Sequence, residues 1–290
     1  MRIILLFVIA SLITILNIQI AYSQSKPTIT SAVKRSYNGS DISCASATDG
    51  EITVTATGGS GQYEYSKDNG ATFQVNNVFS KLPPGANYVM VVRDLNHKEN
   101  KSDALWIWMN SINPVTVSSL NINKNISCFS AADGQVNITA WGGTGALQFS
   151  IDNGATFQSS GTFAGLGAGT YRIIVKDLNG CTATSSTITL KEPVPITATV
   201  VAKQDANCNL SPGSVTIKGN GSTGDYNASI DGGAFQGFSR SNTYTFNNLS
   251  PGCHNILIED TYAHCTGTLS ITIAGLAASI SGNTITSSGN

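Results

Sequence analysis

Six cysteines, three histidines and one aspartate-bearing phrase written three times are the residues of this 290-residue chain with chemistry to offer. The histidines, His97, His254 and His264, fall in no catalytic pattern. No G-x-S-x-G elbow, H-E-x-x-H pair, P-loop or convergent carboxylate pair accompanies them, so no catalytic residue and no enzyme is expected. The cysteines contain no C-x-x-C spacing, which argues against a thiol-redox centre or a zinc ribbon. The repeated phrase reads SKDNGATFQ from Ser66, SIDNGATFQ from Ser150 and SIDGGAFQ from Ser229. A calcium loop built on Asp68, Asp152 and Asp231 would need six or more oxygens, and each phrase supplies one carboxylate. Asp-Asn-Gly and Asp-Gly-Gly between alternating runs instead supply the positive-φ residues of a tight hairpin turn. No metal and no cofactor is expected. A turn copied three times marks a structural unit copied three times.

The elements that must position these residues are strands. Each copy opens on a proline and an alternating run: KPTITSAV from Lys26, NPVTVSSLNI from Asn113 and VPITATVV from Val194. A cysteine follows (Cys44, Cys128, Cys208), then GEITVTATGG, GQVNITAWGG or GSVTIKGNG, then the turn phrase, then a Leu-Gly stretch leading into YVMVVRD, YRIIVKD or HNILIED. The opening prolines Pro27, Pro114 and Pro195 lie about 87 and about 81 residues apart. In GQVNITA, Val136, Ile138 and Ala140 alternate with Asn137 and Thr139, a period of two with one face toward a core. With 29 glycines at the turns, the expected fold is all-β: tandem immunoglobulin-like β-sandwiches behind a signal peptide. The boundaries are 1–23 for the signal, 24–113, 114–194 and 195–278 for three sandwich copies, and 279–290 for a tail. SISGNTIT in that tail reads like the first strand of a fourth copy.

The first residues carry Arg2, an apolar run to about Leu16, and Ala21 and Ser23 in an A-x-S cleavage arrangement. Asn17 and Gln19 interrupt the run, so a cleaved export signal with a mature start near Gln24 is favoured over a membrane anchor. The protein is therefore expected to be secreted or held on the outer cell surface, with no stable membrane span after cleavage. A net charge of -1 with 11% charged residues excludes the basic footprint of a nucleic-acid binder.

In an oxidising compartment the cysteines read as disulfide partners. The second copy places Cys128 before a strand and Cys181 in the turn KDLNGC, and the third places Cys208 and Cys265 alike. One disulfide per copy is expected, Cys128–Cys181 and Cys208–Cys265. The first copy has Lys98 where its closing cysteine should be, which leaves Cys44 without a partner in its own copy, and Cys253 is also left over. Leu82…Gly85…Tyr88 and Leu166…Gly169…Tyr171 have the spacing of a tyrosine corner, where the phenol bonds back to the backbone upstream. His254 stands in the third copy's place for that tyrosine and is expected to make the same tether.

The order C…DG-x-I-x-V-x-A-x-GG…YS-x-D-x-G…F-x-x-L…G-x-Y…V-x-D-x-NGC resembles the SprB repeat of gliding-motility adhesins from Bacteroidetes. The second copy carries it through Cys128, Asp133-Gly134, Gly142-Gly143, Ser150, Asp152, Phe163, Leu166, Gly169, Tyr171, Asp177 and Asn179-Gly180-Cys181. The first copy departs after Asp94-Leu95-Asn96, and the third has Pro212-Gly213 for Asp-Gly. The resemblance implies a cell-surface or secreted repeat protein that works in adhesion or as a spacer and display module, with an unidentified surface ligand, a polysaccharide among the candidates. The alternative is a carbohydrate-binding array, an accessory part of a larger secreted protein. Trp106 and Trp108 alternate in ALWIWMN, so both rings leave one face of a strand and offer stacking surfaces for sugar rings. Otherwise those rings cover the joint with the second copy or fill the core of the first.

Overall fold

The computed structural model describes residues 25–207, 211–221, 224–281 and 284–289, with side chains as far as Gly275. The export signal and Cys208 lie outside the described residues. The chain divides into two compact units. One gathers the residues up to Ser119 with Ile138–Gly161 and Arg172–Ser186; the other holds Leu120–Asn137, Thr162–Tyr171 and the residues from Thr187 onward.

Every regular element among the described residues is a strand, as the period-two alternation requires. In the first unit β1 (Thr28–Lys34), β2 (Gly50–Thr57), β3 (Tyr63–Ser66), β4 (Val78–Leu82), β5 (Asn87–Asp94) and β6 (Leu105–Trp108) form two antiparallel sheets, β1-β2-β4 and β3-β5-β6. Ile52 and Val54 from the first sheet, Tyr88, Met90 and Val92 from the second, and Ile42 and Met109 from the flanking loops close one buried core. This is a sandwich: two sheets whose alternate residues meet.

The middle stretch continues with β7 (Thr116–Lys124), β8 (Gly134–Trp141), β9 (Gln148–Ser150), β10 (Thr162–Leu166), β11 (Gly169–Lys176) and β12 (Thr182–Leu190), in sheet orders β10-β8-β7 and β12-β11-β9. The last stretch holds β13 (Thr197–Gln204), β14 (Gly213–Asn220), β15 (Tyr226–Ile230), β16 (Gln236–Phe238), β17 (Tyr244–Leu249), β18 (Gly252–Asp260) and β19 (Thr266–Ile273). Their orders β13-β14-β17 and β16-β15-β18-β19 repeat the first pattern with β16 added at one edge, and Val215, Ile217, Ala228, Phe246, Ile256 and Ile273 fill the core between them. In the tail, where SISGNTIT reads as a single first strand, β20 (Leu276–Ser281) and β21 (Thr284–Gly289) instead pair with each other as a two-stranded sheet. No helix among the described residues is long and apolar enough to cross a membrane.

One glycine explains the Gly-Gly that follows the second strand of the middle copy. Gly142 has φ +86, and a Cβ there would sit 2.1 Å from the carbonyl oxygen of Pro114, far closer than van der Waals contact allows. Gly221 repeats the arrangement against Pro195, also at 2.1 Å. The opening proline segment of a copy thus runs directly against its second strand where only hydrogen fits. Gly142→Ala should lower stability in urea unfolding by at least about 2 kcal/mol, through left-handed strain plus a backbone clash. Gly85→Ala, with φ +70 but no atom within 4 Å, should cost about 1 kcal/mol from the strain alone.

Candidate functional site

The cysteines pair across the copies. Cys44 bonds Cys181 and Cys128 bonds Cys265, each at a sequence separation of 137, the first pair inside one compact unit and the second inside the other. The expected Cys128–Cys181 and Cys208–Cys265 pairings are therefore corrected: Cys128 and Cys181 are both bridged, but to other partners. Cys44 is not left over, and Cys253 is a free, exposed thiol. The physical reason lies in how each sulfur is presented.

The opening cysteine sits on a loop held by the aspartate of the Asp-Gly pair. Asp49 Oδ1 accepts the Ser43 amide at 3.1 Å, and Asp133 Oδ1 accepts the Ser127 amide at 3.1 Å. A one-turn bond follows each time, from the Ala47 amide to the Cys44 carbonyl and from the Ala131 amide to the Cys128 carbonyl. The closing cysteine sits on a turn organised by a buried carboxylate at the strand end. Asp177, 3% exposed, accepts the amides of Thr144 at 2.8 Å, Asn179 at 3.0 Å and Cys181 at 2.8 Å. Asp260 takes the amides of Tyr262 and Ala263 in the same way, and Asp94 those of Asn96 and His97. Asp94 is held below the usual carboxylate range: burial pushes it up, but the Ser60 amide and hydroxyl and the turn amides outweigh that.

Asn179 joins the two halves of the first staple. Its Nδ2 donates to the Ser43 carbonyl at 2.9 Å and the Tyr37 carbonyl at 3.3 Å, and its Oδ1 accepts from Asn38 Nδ2 at 2.6 Å. Ser40 and Thr144 hydroxyls meet at 2.9 Å beside it. A cleft of about 250 Å³ borders each disulfide. Pro114 and Val115 line the first with Cys44 and Cys181, and Pro195 and Ile196 line the second with Cys128 and Cys265.

The repeated phrase forms the turn its residues specify. Asn69 and Gly70 have φ 57 and 82, Asn153 and Gly154 have 61 and 88, and Asp231 and Gly232 have 50 and 75. Positive φ at both central positions is what a type I′ turn requires. The aspartates are saturated by their own turns. Asp68 accepts Ser66 Oγ at 2.7 Å and the Thr72 amide at 2.8 Å, and Asp152 accepts Ser150 Oγ at 2.6 Å and the Thr156 amide at 3.0 Å. Partial burial raises Asp68, but the Thr72 hydroxyl and amide and Ser66 outweigh it and hold the carboxyl at about 2. No cluster of three or more His, Cys, Asp or Glu able to hold a metal occurs among the described residues.

The third copy lacks that threonine and uses a histidine. His254 is 7% exposed. Its Nε2 lies 2.8 Å from the Ser250 carbonyl and its Nδ1 2.5 Å from Asp231 Oδ2. Tyr171 Oη donates to Gly167 at 2.9 Å and Tyr88 Oη to Pro83 at 3.4 Å, so the tether expected of His254 is made. With an acceptor facing each nitrogen, the surroundings favour the doubly protonated ring. The Ser250 carbonyl and then the Asp231 carboxylate raise its pKa above 6.5. Asp231 is lowered in turn by His254 and the Asn255 amide.

Trp106 and Trp108 lie on β6, the edge strand of sheet β3-β5-β6, and are 64% and 54% exposed. They pair with Val89 and Asn87 of β5, while Met109, next along the chain, is fully buried. The rings are thus not part of the first core. Trp141, at the end of β8, is 52% exposed.

The SprB repeat family matches residues 36–72 and 121–156, two stretches that each begin just before an opening-cysteine loop and end in the turn phrase. Two stretches of the chain match the SprB repeat. No curated protein matches the chain. Among solved structures, the three N-terminal domains of the Hoc capsid protein of bacteriophage RB49 align at 12% identity over 85% of this chain and 97% of that one, with a TM-score of 0.33. Domains 7–9 of the S-layer protein SbsC align at 12% identity over 86% and 97%, at 0.27. A Bacteroides ovatus protein of a mixed-linkage glucan utilization locus, solved with a heptasaccharide, aligns at 14% identity over 89% and 73%, at 0.20. Such low scores carry no argument about function.

The recurring residues around the cysteines work as a stapling kit: Asp49 and Asp133 of the Asp-Gly pairs hold the loop of the first cysteine, and Asp177 in Asp-Leu-Asn-Gly-Cys presents the second. The role of Asn179 and the partner of Cys181 are not visible in either residue alone. One signal was present. Lys98 in the first copy and the unpartnered Cys44 are both resolved by shifting every pairing one copy along the chain.

His254 gives this region a pH dependence. Its folded pKa is raised, so its contribution to stability is complete below about 6.5, the unfolded value, and disappears as pH rises through the folded one. Thermal melts from pH 5.5 to 9 should show the native protein losing more stability on the alkaline side than His254→Tyr, which restores the phenol of the other copies. Parallel pH profiles for the two proteins would contradict this role.

Proposed function

We propose that this chain is an exported, non-catalytic surface protein of three tandem β-sandwich copies, with boundaries near 24–113, 114–194 and 195–278, working in adhesion or as a spacer that displays other parts. The observation that carries this reading is the combination of SprB repeats at 36–72 and 121–156 with disulfides that leave one copy and close in the next. Disulfides of this kind persist outside the cytosol, which favours the surface or the medium. The carboxylates of Asp68, Asp94, Asp152 and Asp177 are occupied by turn amides and hydroxyls, which favours a scaffold over a catalyst. Fractionation of expressing cells should place the mature protein, beginning near Gln24, on the surface or in the medium. Reduced protein in the cytoplasm would overturn the reading.

A second reading rests on Trp106 and Trp108. Two indoles more than half exposed on one strand face are costly to leave in water and are suited to stacking on sugar rings. If the face binds polysaccharide, the double variant Trp106→Ala, Trp108→Ala should abolish retention of the protein on insoluble glycan while its melting transition stays within a few degrees. Undiminished retention would remove the carbohydrate reading and leave the spacer reading intact.

A further inference from the structure

The loop closed by Cys44–Cys181 and the loop closed by Cys128–Cys265 overlap over residues 128–181, and neither contains the other. We propose that this crossing of the two disulfides is a built-in limit on extension, which makes the chain a strap under tension rather than a string of beads that unravel one at a time. The inference goes beyond the surface-protein reading and does not depend on any ligand.

Consider tension applied at Ser25 and Gly275. Force reaching Cys44 passes at once to Cys181, and force reaching Cys265 passes at once to Cys128. Between these two covalent nodes three stretches of chain run in parallel: 44–128, 128–181 and 181–265, the middle one in the opposite sense. All three share the load, and the shortest, about 53 residues, sets how far the nodes can separate even when every sheet has come apart. Adding the short ends outside the nodes, the taut path is roughly 80 residues, about 290 Å at about 3.5 Å per residue. With no disulfides, the same two points separate by roughly 250 residues, about 875 Å. The number of disulfides does not by itself give this economy of length. Two bridges closed within their own copies, Cys128–Cys181 and Cys208–Cys265, would leave a taut path of roughly 140 residues, about 490 Å.

The organisation of the cysteine turns supports the strap. Tension enters each node through a loop and a turn fixed by carboxylate–amide bonds, Asp49 to Ser43 and Asp177 to Asn179 and Cys181 in the first, Asp133 to Ser127 and Asp260 to Tyr262 and Ala263 in the second. Residues on both sides of a disulfide are thereby tied into their sheets, so the load is delivered to the sandwich and not to a free loop.

Single-molecule stretching of residues 25–275 between cysteine-free handles tests the proposal. Without reductant the fully unfolded contour should be about 290 Å, and with reductant about 875 Å. Cys181→Ser and Cys265→Ser should each give about 400 Å, because either opens only one of two equivalent detours. These lengths are read after complete unfolding, so a variant that folds poorly still reports its connectivity. An oxidised contour of about 490 Å, with single variants near 680 Å, would overturn the crossing and with it the strap. An oxidised contour equal to the reduced one would overturn it as well. Neither outcome bears on whether the protein sits at the cell surface, which fractionation decides separately.

Discussion

The sulfurs of Cys44 and Cys181 meet only because a loop after β1 and a turn after β11 hold their Cα atoms 5.7 Å apart; Cys128 and Cys265 stand 5.5 Å apart on the equivalent pieces. That spacing lies within the window a disulfide allows, and the carboxylate bonds of Asp49, Asp133, Asp177 and Asp260 maintain it. Each bond ties a folding decision in one copy to a decision in the next. In the chain-entropy picture a loop of this size stabilises by about 5 kcal/mol, against about 4 kcal/mol for the shorter loop that a bridge inside the middle copy would close. The gain from choosing the longer loop is under about 1 kcal/mol, so denatured-state entropy does not explain the choice. What differs is which elements become joined.

Much of the local structure was legible in the sequence, and for simple reasons. Val136 and Ile138 alternate with polar residues and are buried, because a strand's side chains change face at every step. Asp-Asn-Gly forms a turn with two positive φ values, because few residues tolerate that backbone. The ring of His254 occupies the tether of Tyr88 and Tyr171, because the Leu-x-x-Gly spacing before it places a carbonyl four or five residues upstream within reach. These are all properties of short stretches of chain.

The disulfide partners were not legible in the same way. Comparing copies fixes which position a cysteine occupies within its copy, but a cysteine at the opening position can reach the closing position of its own copy or of the next, and both choices repeat with the same period. Only the ends of the series distinguish them: Lys98 has no cysteine to offer Cys44, and Cys181 does. The tail failed for a related reason. SISGNTIT alternates like a first strand, but Leu276–Ser281 finds its partner in Thr284–Gly289, and alternation alone does not say which strand a strand will pair with. The exposure of Trp106 and Trp108 likewise depended on which face of β6 the buried Met109 would leave open.

The most direct test of cross-copy stapling is a single cut in the joint. A protease site engineered after Glu192 lies inside the Cys128–Cys265 loop but between the loops that within-copy pairing would close. After complete cleavage the oxidised protein should still run as one species on a non-reducing gel and fall into two fragments only when reduced. Two fragments without reductant would contradict the account.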